Sequence, residues 1–486
     1  MSAIRVTDSD HASNATLIAG IDSSTQSCKV TVRDLATGKQ VRWGKASHPS
    51  STIVDPEVWW EALLTAVRRA GGFSDVSAIS ISGQQHTPIF LDVNGSVTTD
   101  SPLWNDLGSH SHMVALNDEL GKDEWIKRTG LPITLSDTVS KLRWLKDERP
   151  DAADRTFAVA VVHDWLSWRL MGEGPGGNLA RLMTDRSEAS GTGYWSPDNG
   201  DYCLDLVKHA LGKEVLLPKI LGPTDVAGVT GRGIPGIPEG IPIGVGSGDN
   251  AAAALSLGIN NGDVVMSLGT SGVVYTRSDK SVHDLNGYVC NYADATGKHL
   301  PLVATFNAAR NFEAGAALLN CSYTELSELA LQANPGAGGL TLLPFFEGER
   351  TPDLPTARAS LHDATLGNFT RPNFARAIIE GTLASQVGML DALKQCGLES
   401  QRLLLIGGAA PSAAVQTVLS QLVDLPMIIP EPDEYVAKGA AMQAAAALDG
   451  EFPQWQVEAV QLPPMAHESR ILDQHQSAMD RLGYLN

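Results

Sequence analysis

The chain has 486 residues, which is enough for two or three domains rather than one core of ordinary size. Its 36 basic and 55 acidic residues leave a formal net charge of −19, which argues against a polyanion such as DNA or an anionic membrane surface as the main partner. A small phosphorylated ligand needs only local positive potential and survives this test.

The first sixteen residues are polar and lack an apolar core of the kind a signal peptide needs, and no apolar run is long enough to span a bilayer. Five scattered cysteines without a C-x-x-C pair indicate neither a disulfide framework nor a zinc site, and they fit a reducing cytoplasm. An apolar run from Leu17 meets the turn Asp22-Ser23-Ser24-Thr25 and leaves as a second strand to Asp34, which predicts a hairpin over 17–34. Helical spacing follows over Pro56–Arg69, and a strand over Val76–Ser82 ends in Gly83-Gln84-Gln85-His86. Segment 100–200 mixes short helical patterns, at Ser140–Lys146 and Asp164–Leu170, with glycine-rich loops, and reads as an insertion that shapes a pocket. The strand Ile241–Val245 runs into Ser247-Gly248-Asp249-Asn250 and a helix over Ala251–Leu257.

A second hydroxyl turn, Gly269-Thr270-Ser271-Gly272, divides a hairpin over Asp263–Arg277, so the opening pattern repeats and the halves meet near residue 258. Beyond it the periodicity predicts a long helix over Asn373–Gln395, a strand over Arg402–Ile406 and a Gly407-Gly408 turn. Helices over Ser412–Val423 and Glu434–Leu448 follow, and then an amphipathic stretch over Arg470–Leu482. The chain thus divides into a polar extension (1–16), an N-terminal domain (17–258), a C-terminal domain (259–450) and a tail (451–486). Alternating strands and helices with a hairpin opening each half predict two related α/β domains, with ligands at the strand ends between them.

The common signatures of nucleotide binding are missing. Every Gly-Lys pair is followed by Gln40, Ala46, Asp123, Glu214 or His299, never by Ser or Thr, so there is no Walker A cradle. Two G-x-G-x-x-G matches, Gly172–Gly177 and Gly231–Gly236, lie in proline-containing loops with no strand feeding a helix. What remains is the pair of hydroxyl turns. Alone, Asp22–Thr25 followed by Lys29 reads as an ordinary hairpin, because Asp and Ser favour turns. Its duplication favours two turns that present N–H groups and hydroxyls to phosphates, with Asp22 able to hold a water of Mg²⁺.

Asp249, at a strand-to-helix turn, suits an N-cap as well as a general base; Asn250 beside it and Gly246 and Gly248 before it, which would let a ligand approach the backbone, favour the base. His86 could be a satisfied loop histidine, yet with Gln84 and Gln85 it completes a hydrogen-bonding row suited to a polyhydroxylated ligand. Trp104-Asn105-Asp106 adds an apolar face and polar tips of the same kind, with an ordinary surface loop as the alternative for Asp106. Gly407-Gly408 with Ser412 reads either as packing glycines or as a flat backbone surface for a nucleotide.

These segments, with Ser267-Leu268 before the second turn, Gly348-Glu349-Arg350-Thr351-Pro352 and Ile406-Gly407-Gly408, together resemble the FGGY family of carbohydrate kinases, and within it the xylulokinases, from about Leu17 to about Leu448. The resemblance implies an actin-like, hexokinase-type (ribonuclease H-like) duplicated fold around a cleft, ATP and Mg²⁺ as cofactors, and phosphoryl transfer to the 5-hydroxyl of D-xylulose. It makes Asp249 the catalytic base, with a possible metal contact, and puts Gln85, His86, Trp104, Asp106 and Asn250 at the sugar. Gly269, Thr270, Ser271, Gly407, Gly408 and Ser412 become nucleotide contacts, and Asp22, Thr25 and Lys29 face the transferred phosphate and metal. The family often forms homodimers. Three positions depart from its pattern: Ser24 replaces a glycine of the first turn, Leu107-Gly108 stands where a Gly-Arg pair is common, and Ala409 replaces a third glycine. The rivals are a kinase for ribulose, sedoheptulose, glycerol or gluconate, an actin-like ATPase that binds a protein, and a sugar sensor without a base.

Overall fold

The computed structural model describes residues 15–463 and 465–484; nearly all of the polar extension therefore lies outside the described residues. The opening hairpin forms as expected, with β1 (Leu17–Ser23) antiparallel to β2 (Ser27–Asp34), Leu17 opposite Asp34 and Ser23 opposite Cys28. A third strand, β3 (Gln40–Ser47), continues the meander. The sequence reading missed it because most of its side chains face solvent and only Gly44 and Ala46 are buried, so its pattern marks no buried face. On the other side of β1 lies the parallel strand β4 (Val76–Gly83), then β5 (Val226–Val229) and β6 (Pro242–Gly244), giving the order β5-β6-β4-β1-β2-β3. The two-residue strand Ser247–Gly248 extends the end of β4, pairing Ser247 with Ser82 and Gly248 with Gly83.

The second half builds a sheet from β7 (Asp263–Leu268), β8 (Gly272–Thr276), β9 (Cys290–Ala293), β10 (His299–Thr305), β11 (Arg402–Ile406), β12 (Met427–Pro430) and β13 (Ala459–Gln461). Its order is β9-β10-β8-β7-β11-β12-β13. Read from β3 to β5 in the first sheet and from β10 to β13 in the second, the strand directions match at every step: antiparallel, antiparallel, parallel, parallel, antiparallel. The repeat of the hydroxyl turns is thus the local trace of a duplicated sheet.

Helices cover these sheets. The sequence located α1 (Glu57–Arg69), α2 (Thr138–Glu148), α3 (Val162–Leu170) and α5 (Asp249–Leu257) in the first half to within a few residues. It did the same for α6 (Arg371–Gln395), α7 (Ala413–Leu422), α8 (Tyr435–Asp449) and α9 (Ser469–Arg481) in the second half and tail. It did not identify α4 (Arg186–Ser190), a single capped turn. The insertion does not form a core of its own: its Trp125, Leu142 and Tyr194 join one buried cluster with Ala251 and Leu255 of α5 and with Val265 and Leu404 of the second sheet.

The chain crosses back at α8. This helix leaves β12 of the second sheet yet packs on β1 and β4 of the first and against α5, burying Ala441, Ala444 and Ala445 against Ile18 and Ala78. Alanine and glycine allow the approach. A Cβ on Gly20 would overlap the Ala437 carbonyl oxygen, and one on Gly439 would overlap the Ala252 carbonyl oxygen. Helices α5 and α8 therefore form the layer between the two sheets. Among the described residues, no helix is long and apolar enough to cross a membrane.

A methyl group at this layer meets backbone that cannot move aside, so Gly20→Ala should destabilise the protein by about 3 kcal/mol in a denaturant titration. Gly388, on an exposed part of α6 with nothing within 4 Å of its would-be Cβ, is the control; there Ala should be neutral or stabilise by up to about 1 kcal/mol.

Candidate active site

Three strand ends converge beside the interdomain layer. Asp22 closes β1 directly opposite Lys29 and Ser82, Gln85 follows the end of β4, and Asp249 opens α5 immediately after the short strand that prolongs β4. Asp249 is not the helix cap: Gly248 holds that position without a side-chain hydrogen bond. Instead the Asp249 Oδ1 accepts from the Asn250 backbone N–H (2.7 Å) and side-chain Nδ2 (2.9 Å), leaving its other oxygen for something else. Asn250, expected at the sugar, is thus first a partner of Asp249.

Asp22, Lys29, Asp249 and Asn250 line one cavity of about 620 Å³ together with Ser267, Tyr275, Gly407 and Gly408. Gly407 has φ +96° and lies so close to β7 that a Cβ would be 2.6 Å from the Leu268 carbonyl oxygen, while a Cβ on Gly408 would meet nothing within 4 Å. The first glycine serves the turn and the second leaves open backbone on the cavity wall. Ala409 is not among the residues with positive φ and donates its N–H to Leu268 (3.2 Å), so the alanine fits this position.

The open-backbone reading of Gly246 and Gly248 is corrected. The space a side chain would take at Gly246 is filled by the His163 imidazole, and at Gly248 by the Gln85 amide, 2.7 Å from a would-be Cβ. These glycines admit protein side chains rather than ligand.

Local electrostatics also differ from expectation. Among the described residues lining the cavity, Lys29 is the one cation, against Asp22, Asp249, Glu431, Asp433 and Glu434. The Lys29 ammonium is 2.6 Å from Glu434 and 3.9 Å from Asp22. Burial, opposed by Lys29 and reinforced by Asp249 and Glu434, pushes the Asp22 carboxyl up to about 7. Burial likewise pushes Asp249 up to about 6 against the backbone N–H bonds it accepts. The Asp22 Oδ1 is buried and has no hydrogen-bond partner. Two carboxylates with a free oxygen, in a space too acidic for bare polyphosphate, suit Mg²⁺ held through waters and phosphates with few protein ligands.

The other candidates fall into two groups. Trp104 Nε1 donates to Thr25 Oγ1 (2.8 Å), joining the first hydroxyl turn to the Trp104–Asp106 segment. His86 has φ +72°, and its Nδ1 lies 2.5 Å from the Gly191 carbonyl oxygen; burial holds its imidazole below the ordinary value despite Asp137 nearby. Ser24 fits its turn with a backbone N–H bond to the Ser27 carbonyl (3.1 Å). In the second turn Thr270 and Ser271 are exposed and Gly269 donates to the Ser271 carbonyl (3.2 Å); these three residues do not line the cavity, although Ser267 does.

Two candidates are engaged structurally. The carboxylate of Asp106 accepts from Thr52 Oγ1 (2.7 Å) and the Gly108 N–H (2.8 Å), capping a 3-10 turn over Leu107–Ser109 that takes the place of the Gly-Arg pattern. Ser412 caps α7 and meets Ser327 Oγ at 3.2 Å; it too stands off the cavity wall.

The sequence reading overlooked α4. Ser187 Oγ accepts from the Gly248 N–H (2.9 Å) while its carbonyl accepts from Gln85 Nε2 (2.9 Å), so this turn ties the Asp249 loop to the Gln85 loop. Next to it the fully buried Glu188 has both oxygens unpartnered, and burial, with Asp164, Asp185 and Asp249 nearby, keeps it well above the usual carboxylate range. The signal was available: Asp185-Arg186-Ser187-Glu188 has the spacing of a helix start, and Asp185 does cap the turn.

Comparison with known proteins places this geometry. Residues 17–256 match the model of the FGGY family of carbohydrate kinases, N-terminal domain, and residues 264–448 match the C-terminal domain. A xylulose kinase of Streptomyces coelicolor is 40% identical over 453 residues, 90% of each chain. One of Haemophilus influenzae is 32% identical over 87% of this chain and 89% of its own. The crystal structure of xylulose kinase from Bifidobacterium adolescentis superposes with a TM-score of 0.90 at 40% identity, covering 96% of this chain and 100% of that one. A glycerol kinase of Plasmodium falciparum shares the fold at 18% identity and a TM-score of 0.85. With both domain models matched along most of its length, the chain belongs to the FGGY family of carbohydrate kinases.

Proposed function

We propose that this kinase transfers the γ-phosphoryl group of ATP to the 5-hydroxyl of D-xylulose, with Asp249 as general base. The observation that carries the reading is the placement of Asp249: a desolvated carboxylate with one oxygen tied to Asn250, at the first residue of α5 next to Gly248, which packs against Gln85, on the wall of a cavity lined by Gly407 and Gly408. The xylulose kinases at 40% identity supply the choice of sugar.

In this scheme the ketose lies by Gln85, His86 and Trp104, and the nucleotide lies in the cavity across from it. The sugar oxygen bonds to the γ-phosphorus as its proton passes to Asp249, and the bond to the β–γ bridging oxygen breaks to release ADP. Asp22 and Asp249 would hold Mg²⁺ through its waters. When bound, the ion offsets phosphate charge in a cavity whose own side chains are mostly anionic. Lys29 exchanges Glu434 for phosphate, and Asn250 keeps the Asp249 carboxylate in place.

A coupled ADP-release assay over a panel of ketoses and polyols tests the reading, and D-xylulose should give the highest kcat/KM. Replacing the base, Asp249→Asn, should lower kcat by about 10²–10⁴ with little change in the KM for the sugar; a variant that kept wild-type kcat would remove Asp249 from this role. A base raised to about 6 is protonated below that pH and ionised above it. At saturating MgATP, where the bound ion keeps Asp22 ionised, the wild-type kcat/KM for the sugar should therefore be flat above about 7 and fall with decreasing pH through about 6, approaching tenfold per unit.

Asp22 offers a stability test of a different kind. Its folded-state value of about 7 lies above the unfolded 3.8, so the fold favours the protonated form and is weakened as pH rises past both values. At pH 8, Asp22→Asn should raise the melting temperature by about 2–4 °C, the effect of about 1 kcal/mol on a domain of this size, while lowering kcat/KM for ATP.

A further inference from the structure

The loop Gly348–Pro352 has no part in the scheme above, yet it is tightly built. The buried Glu349 carboxylate accepts from the backbone N–H groups of Phe306 and Arg350 (2.7 Å each) and from Asn307 Nδ2 (3.0 Å). Asn307 Nδ2 also donates to the Gly348 carbonyl (2.7 Å), and Thr351 Oγ1 donates to the Ala304 carbonyl (3.0 Å). The backbone of Arg350 is thus fixed to the end of β10.

Its side chain lies against Cys290 of β9, near two separate loops of the N-terminal half, one carrying His86 and the other Asp137. There the guanidinium is close enough to bias the His86 imidazole, and its own surroundings are Cys290, Tyr292 and Asp137. The Tyr292 ring lies 5.9 Å from the His86 ring. Among the described residues Arg350 forms no ion pair within 4.0 Å, and the one side-chain hydrogen bond of its guanidinium is to the Cys290 sulfur at 3.5 Å. A half-buried guanidinium with five donors ordinarily finds a carboxylate or carbonyl.

His86 supplies the complement. Its Nδ1 faces the Gly191 carbonyl, which can only accept, so Nδ1 carries the proton and Nε2 keeps its lone pair. Nε2 has no hydrogen-bond partner among the described residues. An acceptor beside the Tyr292 ring and a set of donors beside Cys290, two residues away on the same strand, match an alcohol, which can donate to Nε2 while accepting from Arg350. A carboxylate would set its charge against the Nε2 lone pair.

We propose that Arg350 is a specificity-determining residue that, with His86, binds a non-reacting hydroxyl of the acceptor sugar. This rests on the reading that the acceptor lies beside Gln85 and His86. It means that the C-terminal half contributes to the sugar site as well as to the nucleotide cavity.

The test compares Arg350→Lys, which keeps the charge and loses the planar fork, with Arg350→Met, which keeps the volume and loses the charge. The KM for D-xylulose should rise about tenfold in the first and about a hundredfold in the second, the KM for ATP should stay within about twofold of wild type, and melting temperatures should match. D-xylulose alone should protect the wild type in a thermal-shift assay, and the Met variant much less. An unchanged ketose KM in a folded Met variant, or equal increases in both KM values, overturns the proposal. A wild type that prefers another polyol overturns the choice of D-xylulose but not the role of Arg350, which is then judged by the same split in KM for that polyol.

Discussion

The site depends on how closely three backbones can approach one another. Helix α8 lies on β1 through Gly20 and on α5 through Gly439, at separations where a single methyl group would overlap a carbonyl oxygen. That contact sets the axial position of α5, whose first residue is Asp249, against the end of β1, whose last residues include Asp22. Both carboxylates are thereby held by rigid elements rather than by loops, and the cavity between them inherits its dimensions from alanine and glycine packing. The apolar energy per residue along such a small-residue contact is modest. Its value lies in geometry.

The same packing buries charge. Asp22 and Asp249 both sit well above the usual carboxylate range because water is excluded from them, and one lysine shared with Glu434 does not offset five carboxylates. A protein selected for stability alone would replace or pair these groups. In the proposed reaction they have uses that need the strained state: a base near neutrality takes a proton more readily than an ordinary carboxylate, and an unpaired oxygen is available to a hydrated cation. An acidic cavity also discriminates against polyphosphate that arrives without its metal.

Much of this was legible in the residues, and the reasons differ from element to element. The duplicated hydroxyl turns announced the duplicated sheet because tight turns at strand ends need Gly, Ser and Asp in short compass. The strand Arg402–Ile406 was placed to the residue because a continuous apolar run bounded by polar and glycine residues has no competing period. By contrast β3 turns only the small Gly44 and Ala46 inward and leaves Val41 and Trp43 exposed, so its pattern marks no buried face. The glycines at 246 and 248 were misread because a sequence cannot say whether the room beside a glycine is filled by ligand or by a distant side chain; His163 and Gln85 fill it. For the same reason Asp106 and Ser412 are caps in the fold, and their type alone suited either a cap or a ligand contact. Long-range partners such as Glu434 for Lys29, some 400 residues away along the chain, leave no local signature.

The return of α8 to the first sheet has a consequence for biosynthesis. A ribosome releases residues 17–258 well before it reaches Asp449, and until then the face of β1 and β4 that receives Ala441, Ala444 and Ala445 has no cover. At about 5–20 residues per second, the roughly 190 residues in between take on the order of 10–40 s to synthesise. For that interval the nascent first half carries an open apolar sheet face, and its natural protector is a holding chaperone until the helix that belongs there emerges.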